Sequence, residues 1–119
     1  MRALIPAARV AFALCVLATL WSAFASGEGP PLLPWDKAQH FCAFFALTAS
    51  AVAAFPRLSL PVITFGLGAA GAGIELVQSL PFVHRDASVL DWAADIMAIG
   101  AVLGVILAAR IRRSTAGGN

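Results

Sequence analysis

LGAAGAGIELVQSLPFVHRDASVLDWAAD, the stretch from Leu67 to Asp95, decides how the whole chain is read. Glu75 lies in it, inside a long apolar run, Leu58 to Leu80, of the length a membrane helix needs. An ionisable side chain there costs roughly 2.5–3.5 kcal/mol at the bilayer centre and less near an edge, so it is expected to face a bundle interior or a watery cavity and to need partners. Gln78, three residues on, shares a helix face with Glu75. His84, Arg85 and Asp86 follow in a short loop, and Asp91 and Asp95, four apart, lie on one face of the next apolar run.

The surrounding chain fits the same environment. Its 119 residues predict one domain, and it is 61% hydrophobic and 12% charged, against about 25% charged for soluble domains. A net charge of +2, scattered along the chain, excludes a nucleic-acid surface. Four apolar segments, about 3–25, 38–55, 58–80 and 89–109, each approach the ~20 residues that cross a bilayer. The expected fold class is therefore all-α: a polytopic membrane bundle of four transmembrane helices with short connections, one domain over 1–113, and a disordered tail over 114–119. Gly27 to Pro31 with Pro34, Pro56 to Ser59, and Pro81 to Ser88 break the segments. Gly66, Gly68, Gly71 and Gly73 narrow the third helix, and Gly100 and Gly104 form a GxxxG on the fourth. Such small residues let helices approach closely, and they allow a homo-oligomer.

Orientation follows from Lys and Arg. Arg2, Arg9, Arg57, Arg110, Arg112 and Arg113 fall at one end of the alternating segments, whereas the opposite loops hold only Lys37 and Arg85. Both termini are thus expected in the cytoplasm, with Trp21, Trp35 and Trp92 at the outer boundary as an aromatic belt. A rival reading exists for the first segment: Arg2, the run Val10 to Trp21, and Ala23-Phe24-Ala25 resemble a cleavable signal peptide. Cleavage would leave three helices and the same outer polar end.

Each polar residue at that end has a structural and a functional explanation. Asp36 and Gln39 have capping-box spacing at the start of the second helix, and His40 stands one turn beyond Asp36. A histidine in apolar surroundings is more often a satisfied structural group, yet its ordinary pKa of ~6.5 suits proton transfer. Lys37 can simply snorkel to the interface. Ser88 and Asp91 repeat the capping-box spacing, with Asp91 also suited to the helix dipole. Asp95 is a turn deeper, where capping does not explain it. Glu75 is expected about five residues below its helix end, paired with Lys37, Arg85 or His40, or protonated. Arg85 is suited to a phosphate or carboxylate. The catalytic candidates are Glu75, His40 and Asp95; the binding candidates are Asp36, Lys37, Gln78, Arg85 and Asp91. Asp36, His40, Glu75 and Asp91 could also supply metal ligands, but no HxxxH or CxxC spacing is present, so the sequence assigns no metal site and names no cofactor. Cys15 and Cys42 are expected to be small buried hydrophobes.

Asp36-Lys37-x-x-His40-Phe41, Glu75-x-x-Gln78 and Arg85-x-x-Ser88-x-x-Asp91-x-x-x-Asp95, in this order, resemble the VanZ-like membrane protein family over Trp35 to Gly104. The resemblance implies a bacterial inner-membrane protein connected with the cell envelope, since the family's namesake is associated with low-level resistance to teicoplanin-type glycopeptides. It implies no biochemical activity and does not assign resistance to this chain. Two departures stand out. Many members carry Asn where this chain has Asp95. The glycines expected near 98 and 102 are Ala98 and Val102, with Gly100 and Gly104 two residues on. The expected function is binding or modification of a lipid-linked or cell-wall headgroup at the outer membrane face, with the bilayer and such a precursor as partners. The alternative is a non-catalytic interaction protein whose polar cluster is structural.

Overall fold

A computed structural model of the chain describes residues 3–24, 36–83 and 87–118, with the side chain of Asp36 outside that description. It consists of α1 (Leu4–Phe24), α2 (Asp36–Ala54), α3 (Leu60–Gln78) and α4 (Val89–Ala116). The helices run alternately up and down, so α2 and α4 are parallel to each other. The N-terminus of α1, the α2–α3 turn and the C-terminus of α4 share one end of the molecule. The other end gathers the C-termini of α1 and α3 with the N-termini of α2 and α4.

Three helices, α1, α3 and α4, are long and apolar enough to cross a membrane, which makes the chain a membrane protein by length and composition. The fourth expected span, α2, does not join them. Its first two turns carry Asp36, Lys37, Gln39 and His40, and Thr48 and Ser50 follow. The reason is its position: α2 packs against all three other helices and buries Phe44, Leu47, Thr48, Ala51 and Ala54. A helix that meets protein on several sides needs less apolar surface than one facing lipid nearly all round, although Cys42 and Phe45 of α2 stay exposed. The outer faces of the other helices carry exposed Leu14, Leu17, Val62, Phe65, Met97 and Val105, as hydrocarbon contact demands.

The main seam joins the parallel pair. On α2 the inward residues are His40, Phe44, Leu47, Ala51 and Ala54; on α4 they are Asp91, Asp95, Ala98 and Val102. These positions alternate four and three apart, the 3.5-residue period of a left-handed helix pair. Phe44, Leu47, Ala98 and Ile99 form its buried core. The polar residues at the end shared by the N-termini of α2 and α4 therefore continue an apolar seam by one or two turns.

α1 is fastened at both ends. Near its start, Arg9 Nε donates to the carbonyl of Ala54, the last residue of α2, at 3.3 Å, and its guanidinium lies 5.9 Å from the Phe55 ring centre. Phe12 meets the same ring edge-on at 5.4 Å. Near its end, Gln78 Nε2 donates to the carbonyl of Ala23 at 2.9 Å. Both bonds satisfy carbonyls in a last helical turn, which have no partner within their own helix. These contacts are what a leader peptide cleaved after Ala25 would remove.

Several expectations change. α4 continues past residue 109 to Ala116, so the expected tail begins as helix. Gly117 N–H closes onto the carbonyl of Arg113, and the Ser114 hydroxyl donates to the carbonyl of Ile111. Arg113 falls in the last turn and suits the negative end of the helix dipole. Among the described residues, a Cβ added at Gly100 or Gly104 of the GxxxG would meet nothing within 4 Å. The close approach of α3 to α4 uses Gly68 and Gly71 instead. Cys15 is half-buried and Cys42 exposed, both as free thiols.

Gly71 is the tightest of these points. A Cβ there would lie 3.0 Å from Asp95 Oδ2 and 3.3 Å from both Phe44 Cζ and Trp92 Cδ1. None of the three can easily move: Phe44 and Asp95 are buried, and Trp92 Nε1 donates to the carbonyl of Gly68 at 3.0 Å. Gly71→Val is expected to lower stability by about 1–3 kcal/mol through overpacking. Gly104→Ala, into open space, should leave stability unchanged or slightly raised. Thermal unfolding of the two variants in detergent, at matched scan rates, checks this contrast.

Candidate functional site

The polar end is assembled from three helices. α2 contributes Lys37 and His40 from its first two turns, α3 contributes Glu75 from its last, and α4 contributes Asp91 and Asp95. Each position follows from local sequence. The lead-in at Ser88 has extended backbone (φ −142°, ψ 126°), and its hydroxyl accepts from Leu90 N–H at 3.2 Å, which starts α4 at Val89. With α4 starting there, Asp91 and Asp95 fall on the face that meets α2.

His40 lies between two carboxylates of α4. Its Nδ1 is 3.1 Å from Asp95 Oδ1 and its Nε2 is 3.7 Å from Asp91 Oδ2. Asp91 also receives Lys37 Nζ at 3.6 Å. The carboxylates are deeply placed: the side chains of Asp91 and Asp95 are only 5% and 1% exposed, against 17% for His40 and 35% for Lys37. Exposure therefore falls along the series Lys37, His40, Asp91, Asp95, from the helix ends inward. Buried carboxylates at such spacing need positive charge between them, because little solvent is present to screen them. The imidazole is the group in position to supply it or to relay a proton.

Glu75 makes a contact that the spacing did not suggest. α3 ends at Gln78, so Glu75 stands three residues from the helix end, not five. Its Oε2 accepts the backbone N–H of Ser88 at 2.8 Å. In a capping box that N–H would be taken by the side chain at the N3 position of the same helix, here Asp91. Glu75 of α3 takes it instead, which leaves Asp91 to face Lys37 and His40. Among the described residues, no donor reaches the other oxygen, Oε1, or Oδ2 of Asp95, and both atoms are buried. One ligating atom from each of His40, Glu75 and Asp95 lies within 4.8 Å of the other two.

The remaining candidates divide. Gln78 is buried against α1 and makes its bond to Ala23, away from Glu75. Lys37 pairs with Asp91 and not with Glu75. Arg85, with its loop neighbours His84 and Asp86, lies outside the described residues, as do Trp35 and the side chain of Asp36. Of the expected aromatic belt, Trp21 is 77% exposed, whereas Trp92 turns its indole N–H inward to α3. The register of the α2–α4 pair can be recognised in the sequence once the pairing itself is known. The residues 40, 44, 47, 51 and 54 match 91, 95, 98 and 102 in step, and that register brings His40 level with Asp91 and Asp95.

A cavity of about 20 Å³ adjoins His40 on the α1 side, with Thr19, Ser22 and Gln39 among its lining. That is room for roughly one water, with polar partners to hold it. No family model, curated protein or solved structure matches the chain.

The Glu75–Ser88 bond makes a distinguishable demand on the side chain. Glu75→Leu leaves the Ser88 N–H without its acceptor and is expected to cost about 1–2 kcal/mol, as loss of a helix cap does. Glu75→Gln keeps a carbonyl oxygen at that place and should unfold near the wild-type temperature. Detergent thermal melts of the two variants beside wild type decide it.

Proposed function

We propose that the chain is a VanZ-like protein of the bacterial inner membrane with four spans and cytoplasmic termini. In this reading its outer polar cluster binds the charged headgroup of a lipid-linked or cell-wall precursor. The observation that carries it is an apolar groove of about 570 Å³ between α2 and α4, lined by Phe41, Cys42, Leu90, Ala94 and Met97, with Lys37 at its polar end. Such a groove suits an acyl or polyprenyl chain, and Lys37 suits the phosphate at the head of that chain. Lys37 is one-third exposed and only loosely paired with Asp91, so it can turn to an anion. The headgroup would then lie over His40, with Asp91 and Asp95 beneath it. Chemistry on it would use His40 as proton carrier, with Glu75 and Asp95 as the flanking carboxylates. The sheltered position of α2 supports its crossing as the fourth span. Arg9, Arg57, Arg110, Arg112 and Arg113 at the opposite end support the orientation.

A second reading, a non-catalytic interaction protein, is favoured by two bonds. Glu75 is engaged by the Ser88 backbone and Gln78 by the Ala23 carbonyl. Under it the cluster serves helix register alone.

Two measurements test the proposal. A fluorescent protein fused after Asn119 should be fluorescent, and a phosphatase that needs the outer compartment should be inactive at the same point. The reverse pattern would overturn the orientation. Native mass spectrometry of the detergent-solubilised chain with a polyprenyl phosphate should show a bound adduct. Lys37→Ala is expected to weaken the adduct about 10-fold, in line with loss of one charge-assisted contact, and Ala94→Trp should abolish it by filling the groove. Equal adducts in all three proteins would favour the interaction-protein reading.

A further inference from the structure

We propose that His40, Glu75 and Asp95 hold one divalent first-row transition-metal ion at the junction of α2, α3 and α4. The spacing in the sequence pointed to no metal because each ligand comes from a different helix. The fold brings one ligating atom of each within 4.8 Å of the others. Donors on a common ion at about 2.0–2.2 Å lie some 3–3.5 Å apart, so adjustments of about 1 Å in flexible side chains complete the set. Two further observations point to a ligand. Asp95 is 1% exposed, and its Oδ2 is buried with no hydrogen-bond partner among the described residues. Glu75 Oε1 is buried and unpartnered in the same way. Two orphaned carboxylate oxygens in a membrane interior each carry a desolvation cost that a cation removes.

The surrounding charge agrees. A ligating imidazole is neutral. Among the described side chains, Glu75, Asp91 and Asp95 then face Lys37 as the neighbouring cation, and a divalent ion balances the remainder. The geometry of His40 also agrees. Its Nδ1 faces Asp95, and Asp91 Oδ2 stands 3.7 Å from the far nitrogen, Nε2, close enough to receive its proton after a small adjustment. A carboxylate on the far nitrogen is the arrangement that fixes the tautomer of a metal-bound histidine. The one-water cavity beside His40 can supply a solvent ligand. One imidazole with two carboxylates suits zinc, iron or manganese better than the all-oxygen preference of calcium and magnesium. The site does not depend on the headgroup reading, and it is tested without any lipid.

The experiment uses the full chain in detergent, stripped with chelator and titrated with Zn²⁺ alone against a chromophoric competitor. Wild type is expected to take up one ion per chain and to melt at a higher temperature with Zn²⁺ than without. Co²⁺ in its place should give the intense visible bands of a low-coordinate site. Glu75→Gln and Asp95→Asn should each weaken Zn²⁺ binding more than about 100-fold, beyond the 10–100-fold typical of outer-shell losses. Lys37→Ala should stay within about 10-fold of wild type. The proposal is overturned if folded wild type binds no stoichiometric Zn²⁺, or if both carboxamide variants bind as wild type does. Should Asp95→Asn fail to accumulate, the wild-type stoichiometry and Glu75→Gln still decide.

Discussion

The hydrogen bond between His40 and Asp95 ties the parallel helices α2 and α4 together where their apolar seam ends. A carboxylate as deep as Asp95 is tolerated in a membrane protein only beside a group that can share its charge. That group must come from a neighbouring helix, since α4 offers no cation within reach of Asp95. The requirement fixes the rotation of α2 about its axis, and with it the inward placement of Phe44, Leu47 and Ala51. It also explains why α2, whose first two turns are polar, is the helix that packs against the other three.

Around that contact, the other polar side chains complete backbone groups at helix ends. Arg9 covers a carbonyl at the end of α2, Gln78 covers one at the end of α1, and Glu75 takes the N–H before α4. In each case the side chain belongs to a different helix from the group it satisfies. Lipid supplies no water for these groups, so each cross-helix bond also acts as a fastening. The cluster is therefore both structural and chemically capable. Glu75 uses one oxygen as a cap, and its carboxylate also stands beside His40 and Asp95.

Much of this was legible in the residues themselves. The apolar lengths, the breaks at Pro56 and Pro81, the start of α4 at Ser88, and the gathering of Glu75, His40, Asp91 and Asp95 at one end follow from periodicity and spacing. Partner choice was less legible. Glu75 was expected to meet Lys37, Arg85 or His40, and Asp91 to close its own capping box. In the fold Glu75 takes the Ser88 N–H that the capping box would have given to Asp91, and Asp91 faces Lys37 and His40. The glycines show the same limit. GxxxG at Gly100 and Gly104 is the more familiar signal, yet the packing contact falls at Gly68 and Gly71, because they lie level with Trp92, Asp95 and Ile96.

What the sequence by itself determined is the environment and the ends. Hydrophobic length selects helices in a membrane, and the cost of a stranded charge collects the ionisable residues near one boundary. What only the tertiary structure decided is which helix lies beside which, and hence which atoms meet. Pairing α2 with α4 is a property of surfaces formed by residues more than fifty positions apart, and no local rule of spacing encodes it. The three-helix junction of His40, Glu75 and Asp95 exists only through that pairing, which is why its chemistry could not be read along the chain.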